Sequence, residues 1–101
     1  MIARTWRGRV PAEQADAYHA YLLRTGLKDY ASTAGNQGVQ LLRRTEGGVT
    51  HFLIITLWDS YEAIRAFAGD QYEQARYYPE DDKYLLEREP HVVHYEVLSS
   101  A

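Results

Sequence analysis

The sequence predicts one small α+β domain whose elements run strand, helix, strand, strand, helix, strand. Three observations predict it. Residues near both ends alternate in polarity with a period of two, the stretches after residues 11 and 59 change to a period near 3.6, and a Glu46-Gly47-Gly48 turn joins two β-branched runs. At 101 residues the chain accommodates a single domain, 1–101, with a modest core.

Ile2 to Val10 places Ile2, Arg4, Trp6 and Gly8 on one face and Ala3, Thr5 and Arg7 on the other, the pattern of a first strand. Pro11 ends it and suits the first turn of a helix. From Pro11 to about Thr25, Pro11, Ala15, Tyr18, His19 and Leu22 gather on one side of an amphipathic helix, with Gly26 as its C-terminal cap and Leu27 to Tyr30 as an irregular turn. Ala31 to Gly38 is rich in Gly, Asn, Ser and Thr and reads as a loop.

Val39 to Arg44 and Val49 to Trp58 form a hairpin of second and third strands. Phe52-Leu53-Ile54-Ile55 is apolar on both faces, so the third strand is expected to be central and covered on both sides. Two helices cover only one face of a four-stranded sheet. The other face needs a partner.

Asp59 with Glu62 has the spacing of a capping box and launches a helix through Ile64 and Phe67 that Gly69 interrupts. Asp70 with Glu73 repeats the device and predicts a second helical piece through Tyr72, Ala75 and Arg76 to Tyr78, which Pro79 stops. Glu80 to Glu89 is a charged connector with a Tyr84-Leu85-Leu86 anchor, and His91 to Leu98 alternates as the fourth strand. The βαββαβ order is the split βαβ or ferredoxin-like arrangement, a four-stranded antiparallel sheet with its helices on one face.

A net charge of −3 without a Lys/Arg run argues against nucleic-acid partners, and the absence of cysteine removes disulfides, thiolate metal sites and thiol nucleophiles. No stretch approaches the roughly 20 apolar residues of a membrane span, and the start of the chain lacks a signal-peptide core, so a cytoplasmic location and no membrane partner are expected. Gly35-Asn-Gln-Gly38 is too short for a nucleotide fingerprint and precedes a strand. His91 and His94, three apart on a strand, point to opposite faces, so no metal site is expected.

Nine Tyr and two Trp against two Phe supply rings with a polar edge, suited to pockets and interfaces and equally to half-buried helix faces. His51 on the apolar third strand, or His94 on the fourth, is a candidate general base, although His51 at the strand's start near the hairpin turn is more readily a partly wet residue. Arg4 on a central strand needs a partner or a ligand: an anionic substrate oxygen, or a carboxylate such as Glu96 on the adjacent strand. Trp6 is either a wall for an aromatic substrate or plain core. Tyr77, beside Tyr72, could donate to a developing oxyanion or simply anchor the Pro79 turn. Tyr18 and His19 on the first helix, with Phe67 on the second, complete the candidates for substrate contact.

At Trp58-Asp59-Ser60, followed by Glu62-Ala63 and Phe67, the sequence resembles the antibiotic biosynthesis monooxygenase family of dimeric α+β barrels. The resemblance covers nearly the whole chain. It implies a homodimer with two sheets face to face and a pocket between sheet and helices in each subunit. Members similar to this chain include cofactor-independent monooxygenases that oxidise phenolic, anthrone-like substrates with oxygen. Related folds include haem-degrading monooxygenases, whose Asn, Trp and iron-ligating His fall approximately at Trp6, Phe67 and Tyr77 here, so that triad is absent and no cofactor is expected. The resemblance thus favours a cofactor-independent oxygenase of a small electron-rich aromatic. Alternatives are a non-catalytic dimeric module that binds a small hydrophobic ligand or serves in stress response, and an isomerase or lactone-processing enzyme.

Overall fold

The computed structural model describes residues 1–100. Strands β1 (Ile2–Pro11), β2 (Asn36–Glu46), β3 (Val49–Trp58) and β4 (Val93–Glu96) form one antiparallel sheet in the order β2-β3-β1-β4. Helices α1 (Ala15–Arg24), α2 (Gly26–Ala31) and α3 (Tyr61–Ala68) complete the elements, with short 3-10 turns at Ala12–Gln14 and Asp81–Lys83. The expected ferredoxin-like arrangement is present.

Alternation along β1 and β3 decides what is buried. Ile2, Arg4, Trp6, Gly8 and Val10 on β1, and Thr50, Phe52, Ile54, Thr56 and Trp58 on β3, all turn to the helix side and are buried. There they join Ala15, Tyr18, Tyr21, Leu22, Tyr30 and Ile64 in one core. The other side of β3 carries His51, Leu53, Ile55 and Leu57, which are half-buried. Beside them, on the same side, Leu42, Val93 and Tyr95 are 44%, 49% and 53% exposed. Apolar residues of β2, β3 and β4 therefore lie open on this face, with Thr5 and Arg7 of β1 among them.

Several elements differ from their sequence-based expectation. Gly26 begins α2 instead of capping α1, so Gly26 to Ala31 is helical where an irregular turn was expected. β2 starts at Asn36, inside the expected loop, because pairing with β3 continues past a bulge at Asn36–Gly38. Helix α3 is capped by Ser60, whose Oγ accepts the Ala63 N–H at 3.2 Å; Asp59 instead accepts from Gln37 Nε2 at 2.8 Å, so the expected Asp59–Glu62 box does not form.

The largest departure is the stretch 70–78, expected as a helix. Gly69 ends α3 with φ +87°, a conformation that favours glycine, and the chain beyond it is an irregular strap. The strap's backbone is engaged laterally: Ala75 N–H donates to Pro90 O and Val92 N–H to Glu73 O, each at 2.9 Å, around a single bridge between Gln74 and His91. These pairings, with Arg4 binding the Tyr72 and Gln74 carbonyls, replace the local bonds a helix would need. β4 is accordingly shorter than the expected His91 to Leu98.

Candidate functional site

The register of β1 against β4 sets Arg4 directly opposite His94. Arg4 is 2% exposed and donates through Nη2 to the carbonyl oxygens of Tyr72 and Gln74, both at 3.3 Å. Its Nε has no hydrogen-bond partner. No carboxylate lies within ion-pair distance of it among the described residues; the expected pairing with Glu96 is not made, because Glu96 sits opposite Ile2 and is exposed. The guanidinium lies over the Phe67 ring, 5.8 Å from its centroid. Burial holds the Arg4 pKa below its ordinary value, yet a guanidinium remains protonated at any physiological pH.

His94 is half-buried, and its Nε2 is enclosed without a partner. Its ring meets Tyr72 edge-on at 5.4 Å and Tyr61 at 5.9 Å. Burial, and then the charge of Arg4, lower the His94 pKa against a smaller opposing effect of Glu73. The imidazole is thus neutral near pH 7, with a free nitrogen. An open recess of about 330 Å³ adjoins it, walled by Tyr61, Tyr72, Glu73, Val92 and His94 among others. A neutral imidazole can take a proton, and a buried cation without a counter-ion can stabilise an oxygen anion.

Of the other sequence-predicted residues, Tyr72 and Phe67 join this pair and the rest do not converge there. His51 faces the open side of the sheet, in a row with Arg9 and Arg44, and borders a recess of about 550 Å³ that also includes Arg7 and Leu53. His51 and His94 lie on opposite faces and cannot serve one substrate molecule within a subunit. Trp6 is buried, its Nε1 unpartnered, with Tyr77 edge-on at 6.1 Å. The Tyr77 hydroxyl donates to the Glu89 carbonyl at 2.6 Å, and burial raises its pKa. Tyr18 is fully buried and donates to Asp81 Oδ1 at 2.9 Å, while His19 is half-buried on α1. Phe67 has two guanidinia over its ring, Arg4 and Arg76, the latter 4.9 Å from its centroid.

Sequence reasoning missed Asp81, Asp29 and Tyr61. Asp81 is buried and accepts from both the Tyr18 hydroxyl and the Tyr78 N–H. In the sequence it stands in Glu80-Asp81-Asp82, which looks like a solvated charge run, and only the upstream Pro79 hints at a fixed turn.

Residues 1–76 match the antibiotic biosynthesis monooxygenase family. The chain belongs to that family. No curated protein sequence matches it. Among solved structures, the haem-degrader MhuD from Mycobacterium tuberculosis, with two haems bound in its active site, is 21% identical at a TM-score of 0.64, over 100% of this chain and 99% of that one. A mutant MhuD with two manganese protoporphyrin IX per active site reaches 0.68 at 21% identity, over 100% and 98%. A Bacillus cereus structure named for the antibiotic biosynthesis monooxygenases reaches 0.65 at 16% identity, over 99% and 93%. At these identities the likeness establishes the shared fold.

Proposed function

We propose that this family member is a cofactor-independent monooxygenase of a small electron-rich aromatic, phenol-like or anthrone-like, with His94 as base and Arg4 as the oxyanion's counter-charge. The observation that carries the proposal is the Arg4–His94 pair: a buried cation with no carboxylate, opposite a neutral imidazole with a free nitrogen. His94 takes a proton from the substrate carbon, and Arg4 stabilises the resulting enolate or phenolate oxygen. The carbanion then reduces oxygen. For a CH₂ flanked by aromatic rings, one oxygen atom becomes the new carbonyl and the other leaves as water, so the substrate supplies all four electrons and no further reductant is required.

Porphyrin chemistry, suggested by the MhuD structures, does not fit the residues present. The space between sheet and helices is filled by the rings of Trp6, Tyr18, Phe52 and Tyr84, and His51 points to the other face of the sheet. His94 is the histidine beside Arg4, whose cation would oppose an iron ion.

The same ring-filled interior favours one second reading, a non-catalytic dimeric module for a small hydrophobic ligand. In either case the open apolar face of the sheet is best covered by a second copy, giving the homodimer. Oxygen uptake by chelator-treated protein with a panel of phenols and anthrones tests the proposal. Turnover that survives chelation and is lost in His94→Gln supports the oxygenase; binding without uptake supports the module.

A further inference from the structure

Arg4 has a second role, visible in what it holds. Its Nη2 binds two main-chain carbonyls of the 70–78 strap, Tyr72 and Gln74, both at a long 3.3 Å, and its nearest side-chain oxygen is the neutral Tyr30 hydroxyl. A guanidinium offers five N–H donors, and carboxylates or phenolates are far better acceptors for them than neutral carbonyls. The neighbourhood is also short of negative charge. Arg76 shares the Phe67 ring with Arg4, and the acidic group near Arg76, Asp29 at 3.9 Å, is already bound by the Tyr78 hydroxyl. Asp29 therefore serves Arg76, Glu73 on the recess wall acts on His94, and neither is within ion-pair distance of Arg4.

The far end of the strap is tied by the Tyr77 hydroxyl to Glu89 O at 2.6 Å and by Tyr78 to Asp29 and Asp81, so the segment that Arg4 holds is its first half. The strap runs from Gly69 to Pro79, and toward β4 it is fixed by the Gln74–His91 bridge, by Ala75 N–H to Pro90 O and by Val92 N–H to Glu73 O. It also forms the outer wall of the recess at His94, through Tyr72 and Glu73. Arg4 lies behind that wall.

We propose that Arg4 is a latch on this strap, exchanged from the Tyr72 and Gln74 carbonyls to the anionic group of an incoming aromatic ligand, so that the site selects organic anions and binding loosens the strap's first half. The inference rests on the foregoing placement of a substrate oxygen at Arg4, but not on any reaction with oxygen. The ligand class follows from charge: one negative group neutralises the excess cation, and the rings of Phe67, Tyr72 and Tyr61 receive the aromatic body.

The test compares 2-naphthoate with its uncharged amide, 2-naphthamide, reading binding by calorimetry and amide hydrogen exchange at Ala75 and Val92. Expected are tighter binding of the acid by at least tenfold and several-fold faster exchange at both amides with the acid alone. In Arg4→Met both amides exchange fast without ligand and the preference for the acid is lost. Equal binding of acid and amide, no binding of the acid, or unchanged exchange in its saturated complex would each overturn the latch. Oxygen uptake is scored separately: a latch that works in a protein that consumes no oxygen leaves this inference standing and removes the oxygenase proposal.

Discussion

Arg4 and His94 are cross-strand partners on the helix-covered side of the sheet, a buried cation set beside an imidazole whose Nε2 has no hydrogen-bond partner. Burial, and then the Arg4 charge, disfavour a proton on His94, and that has consequences for pH. His94 has a folded-state pKa below its ordinary 6.5, whereas the unfolded chain titrates at the ordinary value. As pH falls through 6.5, the unfolded state takes up a proton that the folded state still refuses, so stability is present above 6.5 and lost as pH falls toward the lowered value. Denaturant titrations at several pH values should show this loss, and His94→Gln should flatten that part of the profile. The base form of His94 should likewise sustain turnover below the pH at which a free imidazole is protonated.

The open sheet face gives a prediction about assembly. Leu53 and Ile55 are half-buried at its centre, and Leu42, Val93 and Tyr95 are exposed around them. Although Arg7 and Thr5 of β1 stand between β3 and β4, exposed apolar side chains gathered on one face in this way mark an interaction surface. Sedimentation should find a dimer of the intact chain, and Leu53→Lys, which places a charge in the middle of this face, should yield monomers. A wild-type monomer at micromolar concentration would exclude the face-to-face dimer.

Arg4→Met separates stability from binding. A buried charge without a counter-ion is costly to desolvate, and replacing buried ionic groups by apolar side chains of similar volume is often neutral or stabilising. The variant should stay within about 1 kcal/mol of wild type in denaturant unfolding, while losing affinity for aromatic anions. Trp58→Ala, which empties the fully buried centre of the core, should cost about 3–5 kcal/mol. If Arg4→Met proved as damaging as Trp58→Ala, Arg4 would be a structural keystone and not a reserved cation.

The existence of the four strands and the first helix was legible because their signal is local, although Pro11 ends β1 and α1 begins only at Ala15, after a 3-10 turn. Alternation placed Arg4 and Trp6 on one face of β1, which the structure turns inward, and β3 begins and ends at the residues its pattern indicates, Val49 and Trp58. The 70–78 strap was not legible. Its Asp70–Glu73 spacing favours a helix locally, and it is overruled by partners far away in sequence: Pro90, Val92 and the Arg4 guanidinium. The site was legible in part. Arg4 is conspicuous as a charge on a central strand, and the alternation of β4 put His94 and Glu96 on one face, but only the register shows that His94, not Glu96, is its neighbour. Which face His51 occupies also waited on the structure.

Asp81 supplies the last prediction, and it bears on how the segment after the strap is fixed. Its buried carboxylate accepts from the Tyr18 hydroxyl at 2.9 Å and from the Tyr78 N–H at 2.6 Å, joining α1 to the turn that follows Pro79. Tyr18 is packed against Tyr21, Phe52 and Tyr84, so its hydroxyl has no route to water. Burial, and then the Asp81 charge, raise the Tyr18 pKa well above the ordinary tyrosine range, so the hydroxyl keeps its proton and remains the donor. Asp81→Ala would strand that buried donor and the Tyr78 N–H together, a loss of about 2–4 kcal/mol at 1–3 for each unsatisfied group with partial relaxation. Tyr18→Phe removes the donor and should cost less by itself. In the double variant the effects should be less than additive, because the Tyr18 hydroxyl stranded by Asp81→Ala is then gone. A double-mutant cycle by urea unfolding reads this coupling, and strictly additive losses would mean that the Tyr18–Asp81 bond contributes nothing to holding the 79–84 turn on α1.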